Sequence, residues 1–493
     1  MADWHPFSRD ARPAVAAVAA AVAAAASLVT AETVADAAPS PARPLATGVV
    51  DPWTFAGAEA AAAFRRVRAA GGSVARLTLA WHTVAPTARP AAFADTDPAT
   101  PEYRWAAFDR QVRQAVAAGL EPLVSVVGAP AWAVAQESNR GPNEPNAAAF
   151  GRFATAAAKR YGGAFDDLPR VRYWQVWNEP NLNLFLTPQY AGTDPASPGL
   201  YRALVNSFAA AVHRVHRDNL VVAGALSPFT VSGYAESVAP LRFMRELLCM
   251  SSGPRPRPTC AARVEFDVWS HHPYTSGGPT RKARLPDDVS LGDLREMRRL
   301  LDAATAARHV IHRAPVRFWV TEFSWDTSPP DPKAVPATLH ARWVAEAMYR
   351  MWQAGVSLVV WFQLRDEPPP PNYDFQSGLW FRGGGGLATD RPKPALAAFR
   401  FPFVAFSGRR GIDFWGRVPA SAGANVELYV AGRNARYRRV LRVRANGVGV
   451  FAGRFRAPAG AKAVRARLAG SSTWSRGFSL TRPPDRTVRP FGV

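Results

Sequence analysis

The chain has 493 residues, of which 48% are hydrophobic and 16 are Trp, so it can build one large and one small packed domain. Its formal net charge is +22, but nearly all the cations are Arg scattered along the sequence, which argues against a nucleic-acid-binding protein. Nothing in the composition indicates disorder. On charge alone, attraction to acidic polymers or anionic surfaces stays open.

The N-terminal segment has the layout of a secretory signal. Arg9 and Arg12 precede an apolar run over residues 14–26, and small residues follow up to Ala38. We therefore predict a signal peptide over residues 1–38 and a secreted or cell-surface protein without stable membrane insertion. An uncleaved anchor is the alternative, against which the weak membrane affinity of Ala argues.

From Ala46 onward, short apolar runs typical of strands alternate with amphipathic helical segments. The strand-like runs of eight such units are TGVVDPWTF, SVARLTLAW, EPLVSVVGAPAW, RYWQVWNEPN, LVVAGALSP, FDVWSHHPY, VRFWVTEFSW and SLVVWFQL. Continuous apolar strands need helices on their outer face, so the pattern predicts an α/β fold, a (β/α)8 TIM barrel over residues 46–406. A doubly wound open sheet is the alternative, but the first strand–helix turn lacks the Gly-rich phosphate fingerprint.

Two cysteines, Cys249 and Cys260, flank a turn-rich stretch within this region. In an oxidising compartment we expect them to form a disulfide that closes a small surface loop. Two unpaired thiols are the alternative.

After about Phe406 the pattern changes to short alternating runs such as NVELYVA and VLRVRA. Arg at period two marks one solvated face, while Val and Leu point inward. We predict a small all-β sandwich domain over residues 407–493.

Two glutamates stand at the ends of predicted barrel strands. Glu179 ends the fourth strand in WNEPN, and Glu322 ends the seventh in WVTEFSW. Because the C-terminal strand ends of a barrel meet at one mouth, we expect the two carboxyls to face each other. Glycoside hydrolysis requires such a pair, in which one carboxyl protonates the leaving oxygen and the other attacks the sugar or activates water. A lone Glu after a strand is usually a solvated loop residue.

The two motifs resemble the retaining glycoside hydrolases of clan A, and most of all the family-five cellulase-like and family-thirty-nine xylosidase-like groups. The resemblance implies that Glu179 is the acid/base and Glu322 the nucleophile in hydrolysis of O-glycosidic bonds of a polysaccharide or glycoside. It implies a carbohydrate substrate, no metal and no organic cofactor. The third-strand segment VVGAPAW departs from the better-known members, which leaves the sugar and linkage open.

Weaker matches follow in the same order along the chain. Arg76 in ARLTLAW corresponds to the second-strand Arg that supports the nucleophile. His272 and Tyr274 in HPY correspond to pocket residues of the sixth strand, and Trp361 in VVWFQL to the eighth-strand Trp. Each motif is weak alone, because an Arg or Trp in a strand is commonly structural; their order supports the resemblance.

The matched residue types also suit the chemistry. Asn178 can donate an amide hydrogen bond to a sugar 2-hydroxyl, or else cap the strand end. The matched Arg and Tyr would hold Glu322 ionised, whereas Glu179 must have a raised pKa to carry a proton. Trp361 and Trp132 are candidate sugar platforms, with core packing as the alternative for Trp132.

Two other functions remain alternatives. One is a catalytically weak carbohydrate-binding protein of the cell envelope, and the other is a basic envelope-binding protein whose sandwich domain carries the function. The intact Asn178, Glu179 and Glu322 set favours an enzyme over both.

If the N-terminal segment is a cleaved signal, the mature protein should begin near Pro39 or Ser40. Mass spectrometry of the N-terminal peptide of exported protein checks this. Exported protein that still begins at Met1 or Ala2 would contradict cleavage.

Overall fold

The computed structural model describes residues 43–230, 237–368, 375–419, 423–484 and 486–488. The signal segment predicted over residues 1–38 lies outside the described residues. Within these ranges, no helix combines the length and apolar character needed to cross a membrane.

Eight parallel strands close into a barrel, in which each strand pairs with the next and the last pairs with the first. The strands are β1 (Ala46–Val50), β2 (Val74–Ala80), β3 (Glu121–Val127), β4 (Tyr173–Val176), β5 (Leu220–Leu226), β6 (Val268–His271), β7 (Arg317–Phe323) and β8 (Val356–Phe362). A helix that covers the barrel follows each strand. These are α1 (Ala60–Ala69), α2 (Ala106–Ala117), α3 (Ala147–Arg160), α4 (Ser197–Val215), α5 (Pro240–Leu248), α6 (Leu294–Ala306), α7 (Ala337–Gln353) and α8 (Pro394–Arg400). The predicted (β/α)8 TIM barrel is confirmed.

Side-chain alternation along the strands separates two apolar layers. On β8, Leu358, Val360 and Phe362 belong to the cluster that fills the barrel, whereas Val359 and Trp361 belong to the layer beneath the helices. This is the period of two expected for a strand. The helices complete the outer layer with apolar stripes at helical spacing, which on α6 comprise Leu294, Met297, Leu300, Leu301 and Ala304.

Two antiparallel sheets follow the barrel. Their strands are β9 (Phe403–Gly408), β10 (Gly411–Arg417), β11 (Asn425–Ala431), β12 (Tyr437–Arg444), β13 (Val450–Phe455), β14 (Ala463–Leu468) and β15 (Phe478–Ser479). One sheet has the order β9-β10-β13 and the other β12-β11-β14-β15. The rings of Phe406 and Phe478 meet edge-to-face at 5.4 Å and join the sheets, which is compatible with the predicted sandwich. Trp415 packs on Trp352 of α7 at 5.6 Å, so this region shares its core with the barrel.

Cys249 and Cys260 form the predicted disulfide. Cys249 stands at the C-terminus of α5 in a left-handed conformation with φ of 52°. The bond ties the end of this helix to the segment that leads into β6.

Candidate active site

The barrel interior changes from apolar to polar toward the C-terminal ends of the strands. Above the apolar cluster, the inward positions are occupied by Arg76 of β2, Ser125 of β3 and Gln175 of β4, all buried. Gln175 Nε2 donates to Ser125 Oγ at 2.9 Å, and Ser125 Oγ donates to the carbonyl oxygen of Trp177 at 3.2 Å. These bonds make a rigid polar floor beneath the mouth of the barrel.

Glu179 is presented by a strained turn after β4. Trp177 has φ of 66° and Glu179 φ of 41°, in the left-handed region where a non-glycine residue costs about 1–3 kcal/mol. The surrounding bonds hold the turn in place: Glu179 N–H donates to the Ala225 carbonyl at 3.0 Å. Buried Asn181 donates to the Ser227 carbonyl at 3.1 Å and accepts from the Ser227 N–H at 2.9 Å. The WNEPN sequence is thereby tied to the end of β5.

Glu322 reaches the mouth because β7 is irregular at its C-terminal end. Between Val320 and Phe323, β7 has one residue more than the facing part of β8. An extra residue re-aims neighbouring side chains, so the consecutive residues Thr321 and Glu322 both contact site residues. Thr321 Oγ1 lies 3.2 Å from His272 Nε2.

Both oxygens of Glu322 accept hydrogen bonds. Tyr274 Oη donates to Oε1 at 2.7 Å, and Arg76 Nη1 donates to Oε2 at 2.7 Å. The second terminal nitrogen of Arg76, Nη2, donates to Asn178 Oδ1 at 2.6 Å. Arg76 therefore holds the Glu322 carboxylate and the Asn178 amide side by side. Because the amide oxygen faces the guanidinium, the amide NH2 of Asn178 points away from it.

Glu179 has a different partner. Its Oε1 lies 2.9 Å from His272 Nδ1. A carboxylate oxygen of Glu179 and one of Glu322 lie within 4.8 Å of each other. The side chains of Glu179 and Glu322 are 14% and 18% exposed, so both open toward the mouth.

The surroundings push the two carboxyl pKa values in opposite directions. Burial raises the pKa of Glu179 above its usual range, and the hydrogen bond and charge of His272 offset only part of that rise. Burial also acts against ionisation of Glu322, but the positive charges of His272 and Arg76 outweigh it. With the Tyr274 hydrogen bond, they hold the pKa of Glu322 below its usual range. Glu179 is thus suited to carry a proton and Glu322 to be ionised.

Six of the eight predicted site residues meet at the mouth, and the described contacts of the two tryptophans are with other residues. Trp361 is fully buried on the outer face of β8, where its ring lies 5.6 Å from that of His340 in α7. Its predicted role as a sugar platform is corrected, because its side chain points away from the barrel interior. Trp132 is partly buried after β3 and packs edge-on against Trp81 at 5.7 Å, with its indole N–H on the Pro86 carbonyl.

An aromatic group that the sequence did not identify lies at the ends of β1 and β8. Phe362 faces the barrel interior, and Trp53 lies 6.0 Å from it and 5.7 Å from Phe375. Trp53 is 49% exposed, which makes it the accessible ring of this group. The strand period gives a signal for Phe362, since it shares a face with Leu358 and Val360, but nothing local says which face is inward.

Glu179, His272 and Glu322 each offer one ligand atom within 4.8 Å of the others, the spacing of a metal site. The chemistry of the set fits a cation poorly, because both Glu322 oxygens already accept hydrogen bonds and one of the donors is the charged Arg76. We therefore keep the sequence-based prediction of chemistry without a metal.

Solved structures with a similar fold include a family 39 glycoside hydrolase from the gut symbiont Bacteroides cellulosilyticus WH2, with 17% identity over 84% of this chain and 81% of that chain and a TM-score of 0.48. A GH30 endoxylanase from Clostridium papyrosolvens C71 shows 12% identity over 84% and 94%, with a TM-score of 0.42. A GH5-4 broad specificity endoglucanase from Clostridium acetobutylicum shows 12% identity over 68% and 91%, with a TM-score of 0.40. No family model and no curated protein matches the sequence. Likeness at these levels concerns the fold alone.

The opposite pKa shifts can be measured without any substrate. In protein labelled with ¹³C at the Glu side-chain carboxyl, the Glu179 signal should titrate at higher pH than the Glu322 signal, each assigned by its loss in the corresponding Glu→Gln variant. Tyr274→Phe removes one hydrogen bond from Glu322 and keeps the ring, so it should raise the Glu322 pKa and change that of Glu179 less. Titration of Glu322 at or above the pH of Glu179 would contradict the assignment.

Proposed function

We propose that the protein hydrolyses O-glycosidic bonds of a polysaccharide or glycoside with retention of anomeric configuration. The observation that carries this proposal is that one carboxyl oxygen of Glu179 lies within 4.8 Å of one of Glu322, with the two pKa values shifted in opposite directions. Retaining enzymes hold their carboxyls about 5–5.5 Å apart, and inverting enzymes about 6.5–9.5 Å apart to leave room for water. Carboxyl oxygens this close favour the shorter separation, which supports direct attack by a carboxylate.

In the first step, ionised Glu322 attacks the anomeric carbon as the bond from that carbon to the leaving oxygen breaks. Glu179 gives its proton to that oxygen, which departs as an alcohol. The result is a glycosyl ester on Glu322 and an ionised Glu179. In the second step, Glu179 takes a proton from water, the water oxygen attacks the anomeric carbon, and Glu322 leaves as a carboxylate.

The neighbouring residues support these roles. Arg76 and Tyr274 keep Glu322 ionised and aim its oxygens, because both donate to it at 2.7 Å. Asn178 presents its amide NH2 to the sugar 2-hydroxyl, a bond that strengthens as the ring flattens in the transition state. His272 bridges Glu179 and Thr321 and fixes the acid/base carboxyl in position.

A carbohydrate-binding protein of the cell envelope remains the alternative, since binding also uses a cleft at a barrel mouth. Binding alone does not require two carboxyls held in different protonation states, so the site favours turnover. We further propose that the protein acts outside the cytoplasm, a location with which its disulfide is consistent.

The stereochemistry of azide rescue tests both catalytic roles. Glu322→Ala opens the face from which the nucleophile attacked, so azide should give a glycosyl azide of inverted configuration. Glu179→Ala should still form the ester from an aryl glycoside with a good leaving group, and azide should then give retained configuration. Proton NMR of the products from a panel of aryl glycosides distinguishes the two.

Glu121→Ala is the matched control, because Glu121 is an exposed carboxylate at the start of β3, at the end of the barrel opposite the mouth. It should keep wild-type activity and form no azide product beyond that of the wild type. A wild-type first product of inverted anomeric configuration would exclude the retaining mechanism while leaving hydrolysis intact. Absence of turnover on every glycoside would favour the binding protein.

A further inference from the structure

A groove of about 950 Å³ runs along the barrel wall between α6 and α7. At one end it is lined by Pro279, Thr280 and Lys282, from the loop that follows β6. At the other end it is lined by Gly355, which follows α7, and by Arg43, which precedes β1. Because helices of the barrel run from the mouth back to the base, the groove extends from the mouth side to the opposite face.

The groove gathers positive charge from four separate parts of the chain. Six cationic and only two acidic side chains line it, and the cations are Arg43, Lys282, Arg295, Arg298, Arg299 and Arg350. Arg295 and Arg299 are exposed and one helical turn apart on α6. Among the described residues no ion pair neutralises either of them. The Arg residues that are scattered in the sequence are therefore concentrated here by the fold.

The four other cations all have described partners, and Arg350 pairs with Glu346 at 2.9 Å. The six cations still outnumber Glu346 and the two acidic side chains that line the groove. Arg298 pairs with Asp302 at 2.8 Å, and Lys282 pairs with Glu296 at 3.3 Å. Arg43 lies 4.9 Å from the ring of Trp352 and keeps its charge. The exposed ion pairs of Arg298 and Lys282 each contribute about 0–1 kcal/mol, so an anionic ligand can replace their acidic partners at small cost.

A second depression of about 570 Å³ continues the groove past Arg298 and Asp302 and adds Arg313 to its lining. The two depressions share Arg298, and Arg313 pairs with Glu265 at 3.1 Å. Several guanidinium groups along one path suit an extended ligand that carries repeated negative charges. Guanidinium forks bind carboxylate, sulfate and phosphate oxygens in bidentate geometry.

We propose that this groove binds an anionic polysaccharide, a chain of sugars that carry carboxylate, sulfate or phosphate groups. A volume of about 950 Å³ is at the upper end of those that hold compact ligands, and the open ends let a chain extend beyond it. A glycan that is bound through its carboxylate, sulfate or phosphate groups needs no aromatic contact with its sugar rings.

Two other classes of partner fit less well. Among the residues that the structure describes, no aromatic side chain lines the groove, whereas proteins that bind single-stranded nucleic acid stack the bases on aromatic rings. The lining leucines, Leu291 and Leu294, are buried, and none of the exposed large apolar residues in the described chain lies in the groove. The groove therefore lacks the apolar side chains that insert into a membrane surface.

The mouth-side end lies close in sequence to the candidate active site. Pro279 lines the groove only five residues after Tyr274, whose hydroxyl donates to Glu322. A polymer held in the groove would thus keep a distant part of the same chain near the mouth and raise its local concentration there. Binding itself does not depend on the proposed hydrolysis.

The test uses the full-length protein and a fluorescent heparin octasaccharide as the anionic glycan probe. Arg295→Glu with Arg299→Glu should weaken binding roughly tenfold or more and make the affinity less dependent on salt. Arg436→Glu with Arg438→Glu makes the same change in net charge at exposed positions of the C-terminal sheets and should change affinity by about twofold or less. Fluorescence anisotropy at two salt concentrations gives both readouts.

Equal losses in the two charge-reversal variants would show that net charge alone attracts the probe and would overturn the proposal. Binding of a thymidine octanucleotide as tight as that of heparin, with the same loss in the groove variant, would assign the groove to nucleic acid instead.

A neutral malto-octaose should not compete. Glu179→Gln and Glu322→Gln should bind heparin with wild-type affinity, so this result is separable from a failure of the proposed hydrolysis. Arg295→Gln with Arg299→Gln should show a smaller loss than the Glu variant, which separates lost attraction from introduced repulsion.

Discussion

The candidate site depends on the hydrogen bonds that Arg76 donates to Glu322 and Asn178. The Arg76 guanidinium is 4% exposed inside the barrel and donates both to Glu322 and to Asn178, at 2.7 and 2.6 Å. A buried guanidinium next to one carboxylate favours ionisation of that carboxylate, whereas the described side-chain partner of Glu179 is His272. Together with His272 and the Tyr274 hydroxyl, this one side chain of β2 lowers the pKa of Glu322, whereas burial raises that of Glu179.

The surrounding fold holds the strained backbone of the site in place. Glu179 stands in a left-handed conformation, and Glu322 depends on an irregular stretch of β7. Each departure is held by buried hydrogen bonds, such as those of Asn181 to the end of β5. Strain held by a rigid surrounding is a recurrent property of functional sites, because it keeps reactive groups in place before the ligand arrives.

The barrel and most of the site were predictable because they depend on repeated patterns. Eight apolar runs with helices between them define a closed parallel sheet, and strand ends that meet at one mouth bring Glu179 and Glu322 together. The face of Trp361 was not predictable: Trp361 and Phe362 are adjacent aromatics, and the period of two separates them without saying which points inward. The groove was not predictable either, since Arg43, Arg295 and Arg350 are far apart in sequence and become neighbours only through the closure of the barrel.

Trapping the covalent intermediate tests the central claim most directly. The fluorine of a 2-deoxy-2-fluoro glycoside slows both the formation and the hydrolysis of the glycosyl ester. A good leaving group speeds the formation alone, so the ester should accumulate. Peptide mass spectrometry should then find the added sugar on Glu322, in the peptide that contains WVTEFSW. Glu322→Gln should give no adduct. A sugar attached to any other residue, or turnover of the wild type without any adduct, would contradict the assignment of Glu322 as nucleophile.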